Sequence, residues 1–283
     1  MDNLEHYKLI YVDPNVASNI AKSDDGEKLV QKYLTTFPPN EDNLLCFSTY
    51  TLYEMQKSSR YYERFKQVFS LFPCAIVISY FPLAEKEFDK LTNKITSVTP
   101  LLFAPVGLII DGKKLNPDSL EQLLSRPEVI DGFNAIEFHV NNYLDEFNDL
   151  LDHKYFKNLK GNMKGKAHVF AKKFLKYELV NRFHFDDGRD VDFLQVKHLK
   201  SLELFAYSVF YKLFSDSSKK RSFNDVVDVL IMTTIPYVHT FISEANSIDV
   251  LTKIKRTTNL IKSQQLLTYK EFMNISMDSG VLD

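Results

Sequence analysis

The sequence has few of the residues that mark secreted, metal-thiolate or membrane-spanning proteins. Its 283 residues include two cysteines, eight glycines and no tryptophan. Cys46 and Cys74 lie in apolar surroundings and form no CxxC or Cys/His metal spacing, so we interpret them as buried, reduced thiols. No apolar run approaches the roughly 20 residues of a membrane span, and the acidic first residues lack the apolar core of a signal peptide. These absences predict a cytoplasmic protein without a membrane partner.

A surplus of positive charge is also absent. The net charge is −2 at pH 7, which excludes a global basic field that would draw the protein onto nucleic acid. A nucleic-acid surface would therefore have to be local. Hydrophobic residues make up 45% of the chain and include 23 phenylalanines. With so few glycines, this composition favours a globular domain with a helix-rich core.

The strongest local pattern is an apolar segment, Leu9–Val12, that ends on Asp13. Its continuous apolar run predicts a strand buried on both faces, as in a parallel sheet. Pro14 cannot extend the pairing, so the strand stops at Asp13. An Asp in this place lies where open α/β sheets bind their ligands, and Asn15 is close enough to hydrogen-bond to it. Asp13 is equally explained as the cap of the following helix.

Glu54 and Glu244 are further acids at the ends of predicted elements. Glu54 falls in the first turn of a helix that begins near Tyr50, where the helix dipole alone favours an acid. Glu244 follows the apolar segment 237–243, as Asp13 follows its strand. Since strand ends and helix starts meet along one edge of a parallel sheet, we expect these acids at the edge that carries Asp13.

Asp225 and Asp228 form a carboxylate pair within one predicted helix. Ser222 or Asn224 can cap this helix, and acids three residues apart share one helical face. Valines and a leucine surround the pair, and carboxylates buried without a partner are costly. A bound cation would remove that cost, because Mg²⁺ prefers carboxylate oxygens.

The remaining elements alternate between strands and helices, which predicts an α/β fold. Strands are predicted over 44–47 and 74–80. Helices are predicted over 15–36 with a break near 23–26, and over 85–95, 130–151, 191–214 and 249–260. The apolar segments 101–103 and 106–110 fit either a strand or a buried loop, and 186–192 is interpreted as an acidic turn.

The segment 153–182 is locally basic, with nine lysines and arginines against the single acid Glu178. Aromatic side chains are interleaved with these charges, a combination that grips phosphate and stacks bases. In that interpretation, four lysines lie beside the acidic edge and guide a single-stranded nucleic acid into it: Lys164, Lys166, Lys172 and Lys173. The alternative is a solvated helix face with an aromatic underside.

The order and spacing of the acidic segments resembles the PIN-domain family of nucleases. The residues that carry the resemblance are Tyr11–Asn15, Ser48–Glu54, Asn224–Asp228 and Pro236–Glu244. Family members cut RNA, less often DNA, with Mg²⁺ or Mn²⁺. This chain departs from the family at Ser243-Glu244, where a shorter Asp is usual, and at His239, where many relatives of the elaborated branch carry Asp. The longer Glu244 would loosen a second metal.

The resemblance implies a single PIN-like domain over residues 1–283, with a parallel sheet sandwiched by helices. Residues 7–80 and 222–262 would form the sheet part, 81–221 a mostly helical insertion and 263–283 a C-terminal tail. Mg²⁺ or Mn²⁺ would be bound by Asp13, Glu54 and the pair of Asp225 and Asp228, of which one would bind the ion directly and the other would support it through water or a neighbour. Glu244 would be a peripheral catalytic ligand, and Asn15 would contact substrate.

The expected activity is that of a metal-dependent endoribonuclease, in which metal-activated water hydrolyses phosphodiester bonds of single-stranded RNA. No Ser-His-Asp or Cys-His pattern competes, since His184 and His239 lack evident partners in the sequence. A non-catalytic PIN-like module that binds RNA or a protein partner is the main alternative, favoured by the change at Glu244. A domain whose acids only cap helices is the third. RNA is expected over DNA, and an inhibitory protein partner or a homo-oligomer is compatible with the resemblance.

Overall fold

A five-stranded parallel sheet forms the centre of the protein. The computed structural model describes residues 7–22, 26–38, 43–69, 74–101, 109–110, 113–114, 121–122, 124–152, 156, 159, 164–184, 198–215 and 221–275. The strands are β1 (Lys8–Val12), β2 (Asn43–Ser48), β3 (Cys74–Val77), β6 (Thr240–Ser243) and β7 (Gln265–Thr268), in the order β3-β2-β1-β6-β7. A separate hairpin pairs β4 (Ile109–Ile110) with β5 (Lys113–Lys114). The parallel sheet and its helices confirm the predicted α/β class.

The strands form where the sequence is continuously apolar. All residues of β2, β3 and β6 are buried, as is β1 from Leu9 onward. Tyr11 of β1 pairs in register with Cys46 of β2 and Phe241 of β6, and its ring stacks on that of Phe241 at 5.5 Å. Both cysteines are buried and free, as predicted. A sheet buried in this way needs helices on both of its faces.

Five helices accompany the first three strands: α1 (Pro14–Lys22), α2 (Gly26–Thr36), α3 (Thr49–Gln56), α4 (Ser59–Phe69) and α5 (Tyr80–Leu91). Helix α1 packs against α3 and α4. Helix α5 begins and ends earlier than the predicted 85–95. Just beyond its end, Asn93 has a φ of 59°, a left-handed conformation that asparagine tolerates and that stops helices.

The rest of the chain is mostly helical. It forms α6 (Pro127–Asp152), α7 (Lys164–Phe183), α8 (Lys200–Ser208), a π-helical turn (Val209–Phe214), α9 (Phe223–Met232), a 3₁₀ turn (Ile235–Tyr237), α10 (Ala245–Thr257) and α11 (Tyr269–Asn274). Helix α8 packs against α5, α7, α9 and α10. The helical segment predicted as an insertion therefore shares one core with the sheet. Among the described residues, no helix is long and apolar enough to cross a membrane.

The aromatic residues of the basic segment lie in that core. Phe156, Phe170 and Phe174 are buried, and the Phe170 ring stacks on that of Phe174 at 5.7 Å and on that of Phe214 at 4.8 Å. Rings enclosed in this way are not available to stack bases. For these aromatics, the structure agrees with the alternative interpretation, in which the aromatic side of the helix faces the core and its charged side faces solvent.

The predicted helix over 191–214 begins only at Lys200 within the described residues, since His198 and Leu199 are not helical. The buried carboxylate of Glu87 accepts hydrogen bonds from the first backbone N–H groups of α8, at 2.7 Å from Ser201 and 3.4 Å from Leu202. A partner on α5 therefore fixes this helix start. The predicted acidic turn over 186–192 lies outside the described residues.

Strand β7 was not predicted. It pairs in parallel with β6, from Thr240–Gln265 to Ser243–Thr268, so the sheet continues past residue 262 into the predicted C-terminal tail. All four β7 residues are only partly buried, because the strand lies at the edge of the sheet. Its sequence lacks the continuous apolar run that identified β1 and β6.

Candidate functional site

Asp13 lies at the carboxyl end of β1, the central strand. Its side chain is buried, and it accepts a hydrogen bond at Oδ1 from the Val16 backbone N–H at 2.9 Å and another at Oδ2 from the Ser243 hydroxyl. The first bond caps α1, as the alternative interpretation expected. The second ties Asp13 to β6. Asn15 is exposed, and the two hydrogen bonds described for Asp13 come from Val16 and Ser243 and not from Asn15.

The strand order reverses at this point of the sheet. The chain moves outward from β1 to β2 and β3, and later returns to the other side of β1 with β6 and β7. Open α/β sheets bind ligands in the crevice outside the carboxyl ends of the two strands that flank such a reversal. Asp13 follows β1 and Glu244 follows β6, so both acids lie at the position where a ligand crevice is expected.

The electrostatics of Asp13 are unusual for an aspartate. Burial, with smaller contributions from the negative charges of Asp228 and Glu244, raises its pKa from 3.8 to about 6, although the hydrogen bonds from Ser243 and Val16 oppose the shift. Asp228 and Glu244 are therefore close enough for their charges to repel that of Asp13. Such repulsion is typical of sites that bind a cation or transfer a proton.

Asp228 pairs with a lysine that the sequence did not single out. Lys212, on the π-helical turn, places its Nζ 2.5 Å from Asp228 Oδ2. The Lys212 side chain is 4% exposed and that of Asp228 is 30% exposed. The acid whose charge acts on Asp13 is thus itself paired with a buried lysine.

Asp225 has a structural role. Its Oδ2 accepts hydrogen bonds from the Ser222 backbone N–H at 3.1 Å and from the Ser222 hydroxyl at 2.7 Å, while the Ser222 Oγ accepts from the Asp225 N–H. This reciprocal capping box starts α9. The predicted cap at Ser222 is confirmed. Asp225 and Asp228 share one face of α9, and the hydrogen bonds described here join Asp225 to Ser222 and Asp228 to Lys212.

Glu54 lies beyond the first turn of α3, which begins at Thr49, so its predicted placement in the first turn was wrong. The helix dipole therefore does not account for it. Its Oε1 accepts a hydrogen bond from Lys57 Nζ at 2.6 Å. Ser48 precedes the helix but makes no side-chain cap, because its Oγ accepts a hydrogen bond from the Tyr11 hydroxyl at 2.7 Å.

A pocket of about 280 Å³ connects Glu54 to the chain that follows Asp13. Its lining includes Asn15, Lys22, Glu54, Lys57 and Tyr61, from helices α1, α3 and α4. Lys22 Nζ lies 4.9 Å from the centre of the Tyr61 ring. The pocket therefore offers two ammonium groups, one carboxylate and an amide directly beside the acidic edge of the sheet.

The described residues around Asp13 do not form a complete set of metal ligands. Within the part of the chain that is described, no group of three or more His, Cys, Asp or Glu side chains is placed to hold a metal ion. Mg²⁺ commonly keeps several waters and binds protein through one or two carboxylates. Asp13 is the buried carboxylate at this edge, and the charge of Asp228 acts on it.

The lysines predicted to guide substrate lie on α7. Lys166, Lys172 and Lys173 are partly exposed, and the side chain of Lys164 lies outside the described residues. The pKa of His168 is lowered mainly by burial and to a smaller extent by the positive charge of Lys172. His168 lines a second pocket, of about 520 Å³, together with Thr257 at the end of α10. Because α10 starts at the acidic edge, this pocket lies toward the opposite edge of the sheet.

Sequence reasoning missed Lys212, Lys22 and Lys57, which all lie among ordinary helical residues. It also gave His239 no partner. His239 Nδ1 accepts a hydrogen bond from the Leu9 backbone N–H at 3.0 Å, at the amino end of β1 and away from the acids. Only pairing across 230 residues reveals this contact, so no local signal could have identified it.

Comparisons with protein-family models, curated proteins and solved structures returned no match to this chain.

Proposed function

We propose that the protein is a PIN-like, metal-dependent nuclease that hydrolyses phosphodiester bonds of single-stranded RNA. The observation that carries the proposal is Asp13, a buried carboxylate at the reversal point of a parallel sheet, whose pKa burial, Asp228 and Glu244 together raise to about 6. A divalent cation is the ligand that best offsets clustered carboxylates. The preference for RNA and for internal cutting rests on the family resemblance.

In this proposal Asp13 and Asp228 hold a hydrated Mg²⁺ or Mn²⁺, with Glu244 at its periphery. When bound, the ion lowers the pKa of a coordinated water and offsets charge on the phosphate. The Val16 N–H and the Ser243 hydroxyl hold the two oxygens of Asp13 in fixed directions. Groups that orient a ligating carboxylate in this way are a normal requirement of metal sites.

The pocket beside Asp13 is the proposed entry for the substrate backbone. Lys22 and Lys57 supply positive charge there, and lysines that neutralise phosphates gain affinity by releasing counterions. Glu54 Oε1 lies 2.6 Å from Lys57 Nζ, and this ion pair positions one of these cations. This role differs from the direct metal binding that the resemblance implies for Glu54. The lysines of α7 mark a second proposed path for the substrate backbone.

The test is cleavage of a short fluorescent single-stranded RNA, and of the matching DNA, with Mg²⁺ or Mn²⁺. Wild type and an Asp249→Asn control should cut, since Asp249 is exposed on α10 and pairs with Lys253. Asp13→Asn should reduce cutting to background, because it removes the central carboxylate. Cutting that survives excess EDTA, or an active Asp13→Asn protein, contradicts the proposal.

A non-catalytic RNA-binding module is the second candidate. Two observations favour it. Asp225 is hydrogen-bonded to Ser222 and Asp228 to Lys212, so fewer carboxylate oxygens are available to bind an ion than the resemblance implies. RNA retention without cleavage in any divalent metal, weakened by replacing Lys22 and Lys57, would support this alternative over the nuclease.

A further inference from the structure

The pocket of about 520 Å³ that His168 lines is separate from the acidic edge of the sheet. Three further lining residues, Lys200, Glu203 and Tyr207, are three or four positions apart on α8 and so share one face of that helix. Other parts of the lining come from the 3₁₀ turn and from the segment 257–264, which leads into β7. A volume of this size is within the range of pockets that bind small organic ligands.

Glu203 is the residue of this pocket whose chemistry is incomplete. Within the described part of the chain, its carboxylate has no hydrogen-bond donor or cation as a partner. Lys200, one turn earlier on α8, instead places its Nζ 5.9 Å from the centre of the Tyr237 ring. Burial, with a smaller contribution from the negative charge of Glu87, raises the pKa of Glu203 to about 7. A partly buried carboxylate of this kind is stabilised by N–H donors, which a ligand in the pocket can supply.

Two other side chains add a flat ring and a hydrogen-bond donor to the pocket. His168 Nδ1 shares a hydrogen bond with the Tyr207 hydroxyl at 2.9 Å, which fixes the orientation of the imidazole. Imidazole rings are among the surfaces on which nucleic-acid bases stack. Gln264 donates one amide hydrogen to the Pro236 carbonyl at 3.4 Å. Its amide carries a second hydrogen, which is available to a carbonyl oxygen of a ligand.

This set of groups matches guanine better than the other common bases. The Watson–Crick edge of guanine has two adjacent donors, N1–H and the 2-amino group, beside the O6 acceptor. A carboxylate accepts from both donors at once, and the Gln264 amide is suited to the acceptor. Adenine and cytosine instead place an acceptor nitrogen next to their amino group, which a carboxylate repels. Uracil has a single donor between two carbonyl groups.

We propose that this pocket binds guanine as its nucleotide, with Glu203 accepting from N1–H and the 2-amino group and His168 stacking on the base. Lys200 is exposed at the start of α8, where its ammonium is suited to meet the phosphate. The inference goes beyond the proposed function and requires neither a divalent ion nor cleavage. Helix α10 begins at the acidic edge and ends at this pocket, and 13 residues of helix span about 18 Å. The guanine site is therefore distinct from the proposed site of cleavage.

Isothermal titration calorimetry in EDTA, with the four ribonucleoside monophosphates in turn, tests the inference. Wild type should bind guanosine monophosphate at least about tenfold more tightly than the other three, as a good bidentate contact discriminates between bases. Glu203→Gln should lose this preference, because its amide turns a donor toward one of the two guanine donors. Glu137→Gln is the matched control, since Glu137 is exposed on α6 outside this lining. It should match wild type.

Inosine monophosphate tests the same contact without a mutation, so the result does not depend on the folding of Glu203→Gln. It lacks the 2-amino group and should bind wild type about tenfold less tightly than guanosine monophosphate. Lys200→Ala should weaken binding of guanosine monophosphate up to about fivefold and leave binding of guanosine unchanged. Equal affinity for all four nucleotides, no binding of guanosine monophosphate at millimolar concentration, or tight binding that Glu203→Gln retains overturns the inference. Inosine monophosphate that binds as tightly as guanosine monophosphate also overturns it.

Free guanine nucleotides and guanine bases within RNA share this chemistry. A short oligouridine RNA with one central guanine is compared with its counterpart that has a central adenine. If the guanine RNA binds more tightly than guanosine monophosphate and Glu203→Gln removes the difference between the two RNAs, the pocket recognises a base of RNA. If guanosine monophosphate binds more tightly, the ligand is the free nucleotide, and both results support the guanine site. Asp13→Asn should bind guanosine monophosphate as wild type does, so a failure of the proposed nuclease leaves this test intact.

Discussion

Replacing Asp13 with asparagine tests whether the buried carboxylate lowers the stability of the fold near neutral pH. The pKa of Asp13 is about 6 in the folded protein against 3.8 ordinarily, a difference that corresponds to about 3 kcal/mol. Below pH 3.8 the group is protonated in both the folded and the unfolded chain and costs nothing. As the pH rises toward 6 the unfolded chain releases its proton first, so stability falls, and the full cost applies above pH 6.

Asparagine removes this cost with little change of shape. Its Oδ1 still accepts the Val16 N–H, and the Ser243 hydroxyl can rotate to accept a hydrogen bond from the new amide. Without divalent ions at about pH 7.5, Asp13→Asn should be more stable than wild type by up to about 3 kcal/mol. This corresponds to an increase in Tm of up to about 6 °C for a chain of this size. Near pH 4 the difference should shrink toward zero.

Thermal unfolding followed by circular dichroism in EDTA, at several pH values between about 4 and 7.5, measures this difference. Asp249→Asn serves as the control, because its carboxylate is exposed and its removal should change the Tm little at any pH. An Asp13→Asn protein that is less stable than wild type by the same amount at both ends of the pH range would refute the reasoning. Its defect would then be lost packing and not relieved charge.

Two further predictions concern the support of α8 and the path of the substrate. Glu87→Ala should lower the free energy of unfolding by about 3 kcal/mol in chemical denaturation, because two backbone N–H groups of α8 and the hydroxyl of Tyr237 lose a buried acceptor; a loss below about 1 kcal/mol contradicts this. Replacing Lys22 and Lys57 with Ala, in an Asp13→Asn background, should weaken the dependence of RNA binding on salt. The slope of the logarithm of the binding constant against the logarithm of the salt concentration should fall in magnitude by about 1.4, because two phosphate contacts on a single strand are lost. The Lys166→Ala/Lys173→Ala double variant should change that slope less, and the opposite ranking moves the substrate path to α7.

The sheet could be predicted from sequence because each central strand is a short, continuous apolar run with a clear end. Leu9–Val12 stops at Pro14, and Thr240–Ser243 leads into Glu244. The cap of α9 was also local, since Ser222 and Asp225 are three residues apart. Such features depend on neighbours in the chain, and a single sequence contains them in full.

The composition of the candidate site was only partly predictable, because its partners come from distant elements. Asp13 receives its second hydrogen bond from Ser243, 230 residues away, and Asp228 is bonded to a lysine on the π-helical turn. A lysine within an apolar helix gives no sign that it will be buried beside an acid. Likewise, the start of α8 depends on Glu87, more than a hundred residues earlier.

The strand order has a consequence for how the protein folds during synthesis. β1 is made first, yet one of its two neighbours, β6, follows more than two hundred residues later. Domains fold as they leave the ribosome from the amino end, and contacts this distant in sequence form late. A nascent chain that ends before β6 has Asp13 without Ser243, and one that ends before α9 also lacks Asp228. The acidic edge is therefore assembled only after both α9 and β6 have been synthesised, and a nascent chain that lacks them has an incomplete candidate site.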